Sequence, residues 1–333
     1  MLRHLRLRDA PAYDLTRSIL RGRTWTPVSY GLYQRSALTA DEVCRLQAMR
    51  DVLPGGAAWS HFTGARLFGL WLPHLPRSLP LMATIQPTHT RPERDGLYVA
   101  RSRARLPAPV VLAGLPVLSV PRVLGQLAED LSLLDLVVAI DCALQHRWCS
   151  ESDIFAAVVA RQRGIRMLRA AMPFADGRSE SVWETVLRLF HVLCGFRVEP
   201  QHKVRDQEGR IVARADLWLP ETCRLPECDG GDHRGRSQHR DDLRREKVLA
   251  RLGMERYGYT SDEILQQPSR ILTDAEQVYG LAHDPRRLGP WLQELRLSSF
   301  SVEGRRRLAH RLHRFDNCRA LKAGRPREIR EVG

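Results

Sequence analysis

Four consecutive stretches decide how this chain folds: SVWETVLRLFHVLCGF (181–196), RVEPQHKVRD (197–206), GRIVARADLWLPE (209–221) and RLPECDGGDH (224–233). The first reads as a helix over Ser181–Cys194, opened by the capping pattern Ser181-Val182-Trp183-Glu184. The others read as strands over Phe196–Val204, Arg210–Leu219 and Arg224–Asp229, separated by turns at Asp206-Gln207-Glu208-Gly209 and Pro220-Glu221. A second helix over about Arg240–Leu252, then Gly253 and a strand over Met254–Tyr259, complete an α-β-β-β-α-β order. That order predicts an α+β fold, a mixed sheet flanked by helices.

The same segment holds a candidate site. Metal-assisted phosphodiester cleavage needs hard oxygen ligands for Mg²⁺ or Mn²⁺ and a group that moves a proton. Asp216 and Glu227 stand near the ends of two strands joined by a tight turn, so a hairpin can bring them together as metal ligands. Asp229 follows Glu227 by two residues and shares its strand face. Converging carboxylates repel one another unless a cation sits between them.

Blander readings stand beside this one. Glu184 completes a capping box and has Arg188 one turn later as an ion-pair partner. Asp229-Gly230-Gly231 is a turn pattern and His233 is a common surface residue type. Asp216 resists that treatment, because a carboxylate within the apolar run Ala215-Asp216-Leu217-Trp218 is costly to bury without a partner. On the following helix, Arg244 or Arg245 either faces a phosphate or pairs with Asp242 on a solvated surface.

Upstream, Leu38–Met49 and Ser60–Leu70 read as two helices of a winged-helix-like region. β-like runs follow at Leu81–Ile85, Gly96–Ala100 and Val110–Leu112, then a long helix from Arg122 to about Gln145. A capped helix starts at Ser150, with Gly164 placed to stop it, and Met172–Gly177 reads as a linker. The expected parts are therefore 1–75 winged-helix-like, 76–175 small α/β, 176–285 the segment with the candidate site, and 286–333 a basic tail.

The chain has 333 residues, 43% of them apolar, enough for an extensive core. Its 52 Lys and Arg outnumber 38 Asp and Glu, a formal charge of +14 that favours a polyanion, with DNA the leading partner. Between Gly304 and Arg330 ten basic residues meet two acidic ones, a net +8. Seven scattered cysteines with no Cys-x-x-Cys pair suggest neither a disulfide framework nor a zinc ribbon. No run is apolar enough for a membrane helix or signal core, so a cytoplasmic protein is expected. No Gly-x-Gly-x-x-Gly or Walker-type loop points to a dehydrogenase or kinase.

Four blocks in order carry a resemblance: Ser181-Val182-Trp183-Glu184; Ala215-Asp216-Leu217 with Pro220-Glu221; Glu227-Cys228-Asp229-Gly230 with His233-Arg234; and Asp242-x-x-Arg245-x-x-x-Leu249-x-x-x-Gly253. Together they resemble the Vsr-like branch of the PD-(D/E)xK endonucleases, in particular the DUF559 family. The resemblance implies a restriction-endonuclease-like fold, Asp216 as central metal ligand, Glu227 and Asp229 in the (D/E)xK strand, Glu184 reaching the metal, and His233 as acid/base. Asp229 stands at the superfamily lysine position, Pro226 falls in a strand usually β-branched, and Met254 stands where Trp is usual. Ser60-His61-Phe62-Thr63-Gly64-Ala65-Arg66-Leu67-Phe68-Gly69-Leu70 and Val117-Leu118-Ser119-Val120-Pro121-Arg122 are similar to AbiEi-type antitoxin and regulator proteins, which implies a winged-helix DNA-binding head before a small α/β domain.

Overall fold

The computed structural model describes residues 2–39, 41–76, 78–157, 163–229 and 246–315, and the chain is α+β. It divides into two compact units, one of residues 1–69, 75–126 and 309–333, the other of 70–74 and 127–308. These limits differ from the expected ones at 75, 175 and 285.

The first unit contains two sheets. Strands β1 (His4–Arg6), β2 (Trp25–Ser29) and β3 (Leu32–Arg35) form an antiparallel sheet in the order β1-β3-β2. Gly31, at φ +67°, supplies the left-handed residue in the tight turn between β2 and β3. Helix Glu42–Arg50, capped by Asp41 accepting from the Cys44 amide, sits beside this sheet.

The second expected helix, observed at His61–Leu67, instead packs on a separate mixed sheet. That sheet joins β4 (Ala58–Trp59), β5 (Leu81–Ile85), β6 (Leu97–Arg101), β7 (Val110–Leu112) and β8 (Leu115–Val117) in the order β6-β5-β4-β8-β7. Every residue of β5 is buried; four of the five are apolar rather than alternating, and the fifth, Thr84, donates its hydroxyl to Ser60 Oγ. Gly64 lets this helix approach closely: a Cβ there would lie 3.0 Å from Val123 Cγ2 and 3.4 Å from Trp59 O and Val117 Cγ1 on β4 and β8.

In the second unit, the expected Arg122–Gln145 helix is two helices, Val120–Leu127, which begins in the first unit, and Leu133–Gln145. Ser132 caps the latter by accepting from the Asp135 amide. Ser150 and Asp153 form the expected reciprocal cap for helix Glu151–Ala157. Gly164, at φ +77°, stands at the N-cap of helix Ile165–Ala171, and a Cβ on it would strike the Ala128 backbone; the expected stop of the preceding helix falls next to 158–162, outside the described residues. The expected linker at 172–177 is packed: Met172 is buried and a Cβ on Gly177 would meet Leu144 Cβ at 2.6 Å. Nor is 286–312 a tail. Helices Leu288–Leu297 and Val302–Leu312 bury Leu288, Trp291, Leu295, Leu308 and Leu312.

The α-β-β-β-α-β order is present. Helix Val182–Leu193 precedes β9 (Glu199–Arg205), β10 (Ile211–Trp218) and β11 (Arg224–Cys228), residues 246–251 are helical, and β12 (Glu255–Tyr259) follows. β9 and β10 pair antiparallel, β11 and β12 pair parallel, and β10 lies against β11. The strand continues through Pro226, which sits opposite Tyr257. A core of Val204, Ala213, Ala215, Leu225 and Leu249 ties these strands to the helical residues 246–251.

Candidate active site

Glu184 sits in the first turn of helix Val182–Leu193, where its backbone amide donates to Ser181 Oγ at 3.2 Å. Ser181 therefore caps the helix, but the Glu184 carboxylate does not return to the Ser181 amide to close the expected capping box. Glu184 Oε2 accepts from the Glu180 amide at 2.8 Å and from Gln201 Nε2 at 2.7 Å. Arg188 does not pair with it; that guanidinium donates to Asp141.

Gln201 is a residue that sequence reading missed. In the antiparallel register Pro200 faces Leu217 and His202 faces Ala215, so Gln201 falls opposite Asp216. Its φ of +54° lies in the left-handed region, a conformation that costs a non-glycine residue roughly 1–3 kcal/mol. From there its amide donates to Glu184, and Asp216 acts on the same carboxylate as an electrostatic neighbour. Burial raises the Glu184 pKa, and the Asp216 charge raises it further against the donors from Glu180, Ser181 and Gln201.

Asp216 is half-buried near the end of β10, and its Oδ2 accepts from the Cys228 amide at 3.2 Å. The Cys228 thiol is pushed up to about 12 by burial, and then by the charges of Asp216, Asp229 and Glu184. Three of the carboxylates singled out from sequence thus act on one sulfur. Asp229 is exposed at the end of β11, donates its amide to the Tyr259 carbonyl, and lays its carboxylate over Gly258, where any Cβ would collide with it.

Glu227 stands differently. It is 4% exposed, and its Oε2 takes an ion pair from Arg256 Nε on the adjacent parallel strand. Nothing local to Glu227 signalled this partner, because the register of β11 against β12 sets it. Among the described residues no group of three or more His, Cys, Asp or Glu is arranged to hold a metal ion. His233, Arg244 and Arg245 lie outside the described residues, as does Asp242. Leu249 and Gly253 of the same block are described, Leu249 in the core and Gly253 at φ +69° past the helical residues.

No family model matches the chain, and no solved structure matches it significantly. Two uncharacterized proteins of Mycobacterium tuberculosis, one from strain CDC 1551 and one from strain H37Rv, are each 29% identical to it over 255 residues. The alignments cover 75% of this chain and 89% of each relative. Among the described residues no helix is long and apolar enough to cross a membrane.

Proposed function

We propose that this chain is a cytoplasmic, Mg²⁺- or Mn²⁺-dependent DNA endonuclease of the Vsr-like PD-(D/E)xK type. The observation that carries the reading is the close placement of Glu184 and Asp216 across a helix and a strand, supported by Gln201 in a strained conformation. The α-β-β-β-α-β order and the net charge of +14 agree with it.

The oxygen donors suit such an ion, since Mg²⁺ commonly takes one or two carboxylates and completes its shell with water and phosphate. Asp216 and Glu184 would hold it; a bound metal would polarise the scissile phosphate and lower the pKa of the attacking water. Asp229 lies close enough to raise the local negative charge, and His233 is assigned the proton transfer to the leaving oxygen. Arg244 and Arg245 are assigned to phosphate contacts.

A second reading has its own support. The ion pair to Arg256 occupies the carboxylate that the family pattern assigns to metal, as befits a DNA-binding regulator of AbiEi type that uses the fold without cleaving. Supercoiled-plasmid nicking separates the two. Metal-dependent nicking, absent in EDTA and lost in Asp216→Ala, is expected. Nicking that survives Asp216→Ala refutes the site assignment, and intact plasmid that still shifts in a gel supports the regulator.

A further inference from the structure

The first unit contains a cavity of about 1300 Å³ that has no part in the acidic site. Its walls come from 6–17, the Tyr30-Gly31 turn, 51–54 and 90–94. Five arginines line it, Arg6, Arg8, Arg17, Arg91 and Arg94, against two acidic residues, Asp14 and Asp51. Asp51 is already engaged by His4 Nε2 at 3.1 Å.

The arginines fall into two groups. Arg94 is structural: its Nη1 donates to the Tyr30 carbonyl at 2.8 Å and, with the Leu7 amide donating to the Gly31 carbonyl at 2.7 Å, fixes the turn. Arg8 sits near Asp9. Arg6, Arg17 and Arg91 form no ion pair among the described residues, and Arg17 and Arg91 are exposed. Surplus cations gathered round a concavity favour a polyanion.

Tyr30 supplies the second observation. It is 86% exposed at the tip of the β2–β3 turn, the most exposed large apolar or aromatic side chain among the described residues, on a backbone held from two sides. An aromatic ring presented to solvent on a fixed turn beside unpaired guanidinium groups matches the pairing of stacking surface and phosphate contacts used for unpaired nucleotides. A regular duplex hides its base faces, so Tyr30 could offer it no stacking. We propose that this groove binds single-stranded nucleic acid, with a base stacked on Tyr30 and phosphates facing Arg6, Arg17 and Arg91.

The proposal rests on the nucleic-acid partner in the reading above and not on cleavage. The test is fluorescence anisotropy on the full chain in EDTA, with labelled oligothymidylate and oligouridylate of about 15 nucleotides and a duplex of the same length. Tyr30→Ala should weaken single-strand binding by roughly 5- to 100-fold while leaving the duplex within about 2-fold, and Tyr30→Phe should retain affinity. Arg17→Ala/Arg91→Ala should lower the slope of log affinity against log salt by about 1.4, at about 0.7 per phosphate on a single strand. Binding of either strand supports the site, and the stronger one names the sugar it takes. Unchanged affinity in Tyr30→Ala, equal losses on strand and duplex, or no single-strand binding at about 50 mM salt overturns the proposal. Groove binding without plasmid nicking leaves this site standing and removes the nuclease reading; nicking with Tyr30→Ala binding like wild type does the reverse.

Discussion

Replacing Arg188 by Met should destabilise the second unit by about 3–5 kcal/mol at pH near 8, the usual cost of stranding one member of a buried ion pair. Asp141, on helix Leu133–Gln145, is fully buried, and accepts from Arg188 Nη2 at 2.7 Å, Thr185 Oγ1 at 2.8 Å and the Asp176 amide at 2.7 Å. Burial still pushes its pKa up to about 6, against the pull of Arg188 and of those donors. Without the guanidinium that value must rise further. Between the unfolded pKa near 3.8 and the folded one, the native state holds a proton that the unfolded state has released, so stability falls as pH rises across that window.

The wild type completes this loss by about pH 6, whereas the variant goes on losing stability above it, so its deficit should grow between about pH 6 and pH 8. Equilibrium urea unfolding followed by tryptophan fluorescence at about pH 5.5 and pH 8 measures this, with the wild type at each pH cancelling other titrations. The double variant Asp141→Leu/Arg188→Met, which removes both charges, should recover most of the stability. A deficit under about 1 kcal/mol at pH 8, or one that is the same at both pH values, refutes the reasoning. Thr185 and Arg188 belong to the helix that carries Glu184, so the single variant should also lower any plasmid nicking.

Acid should unfold the protein partly through two histidines. Burial lowers His61 to about 3 and His191 to about 4, so each contributes stability that is present above pH 6.5 and lost as pH falls towards those values, on the order of 5 kcal/mol for His61 and 3 kcal/mol for His191; His61→Gln and His191→Gln should flatten a pH-melting profile, and unchanged profiles contradict the burial argument. Gly258→Ala places a methyl where the exposed Asp229 carboxylate lies and turns that side chain aside, so it should lower metal-dependent nicking without abolishing it while leaving the circular dichroism of the wild type; full activity would remove Asp229 from the site. Arg256→Met strands the buried Glu227 carboxylate and should cost about 3–5 kcal/mol, part of it restored by Mg²⁺ in a thermal melt if Glu227 turns to metal. A melt indifferent to Mg²⁺ assigns Glu227 to structure.

The element order of the second unit was legible because alternating runs and turn residues mark each strand locally, and even Pro226 did not mislead, since β11 runs through it. Errors came where local signals were ambiguous or swamped. Ser132 followed by Asp135 is a helix-start pattern, but the apolar residues on both sides made two helices look like one. Gly164 has the positive φ expected of a helix stop, and it also stands at the N-cap of the next helix, Ile165–Ala171, a role that a glycine pattern alone does not mark. Past residue 285 the density of arginines hid Leu288, Trp291 and Leu295, whose spacing of three and four places them on one buried face. The site was half legible. Glu184 and Asp216 were visible as types, whereas Gln201 and Arg256 reach the site only through strand register, which no short pattern encodes.

Each buried carboxylate has its own protein donor: the Glu180 amide and Gln201 for Glu184, the Cys228 amide for Asp216, and Arg256 for Glu227. Hydrogen bonds to an ionised carboxylate are the stronger kind, and here they offset part of the desolvation that still raises Glu184. A metal arriving between Glu184 and Asp216 would therefore add to a formed fold rather than create one, unlike a structural zinc site whose binding energy is its folding energy. Fold and activity are then separable, and Asp216→Ala removes a negative charge from beside Glu184 rather than stranding one. Its loss of nicking in a folded protein would report on chemistry, and for that reason it outranks Arg256→Met, which strands Glu227, as the test of the site.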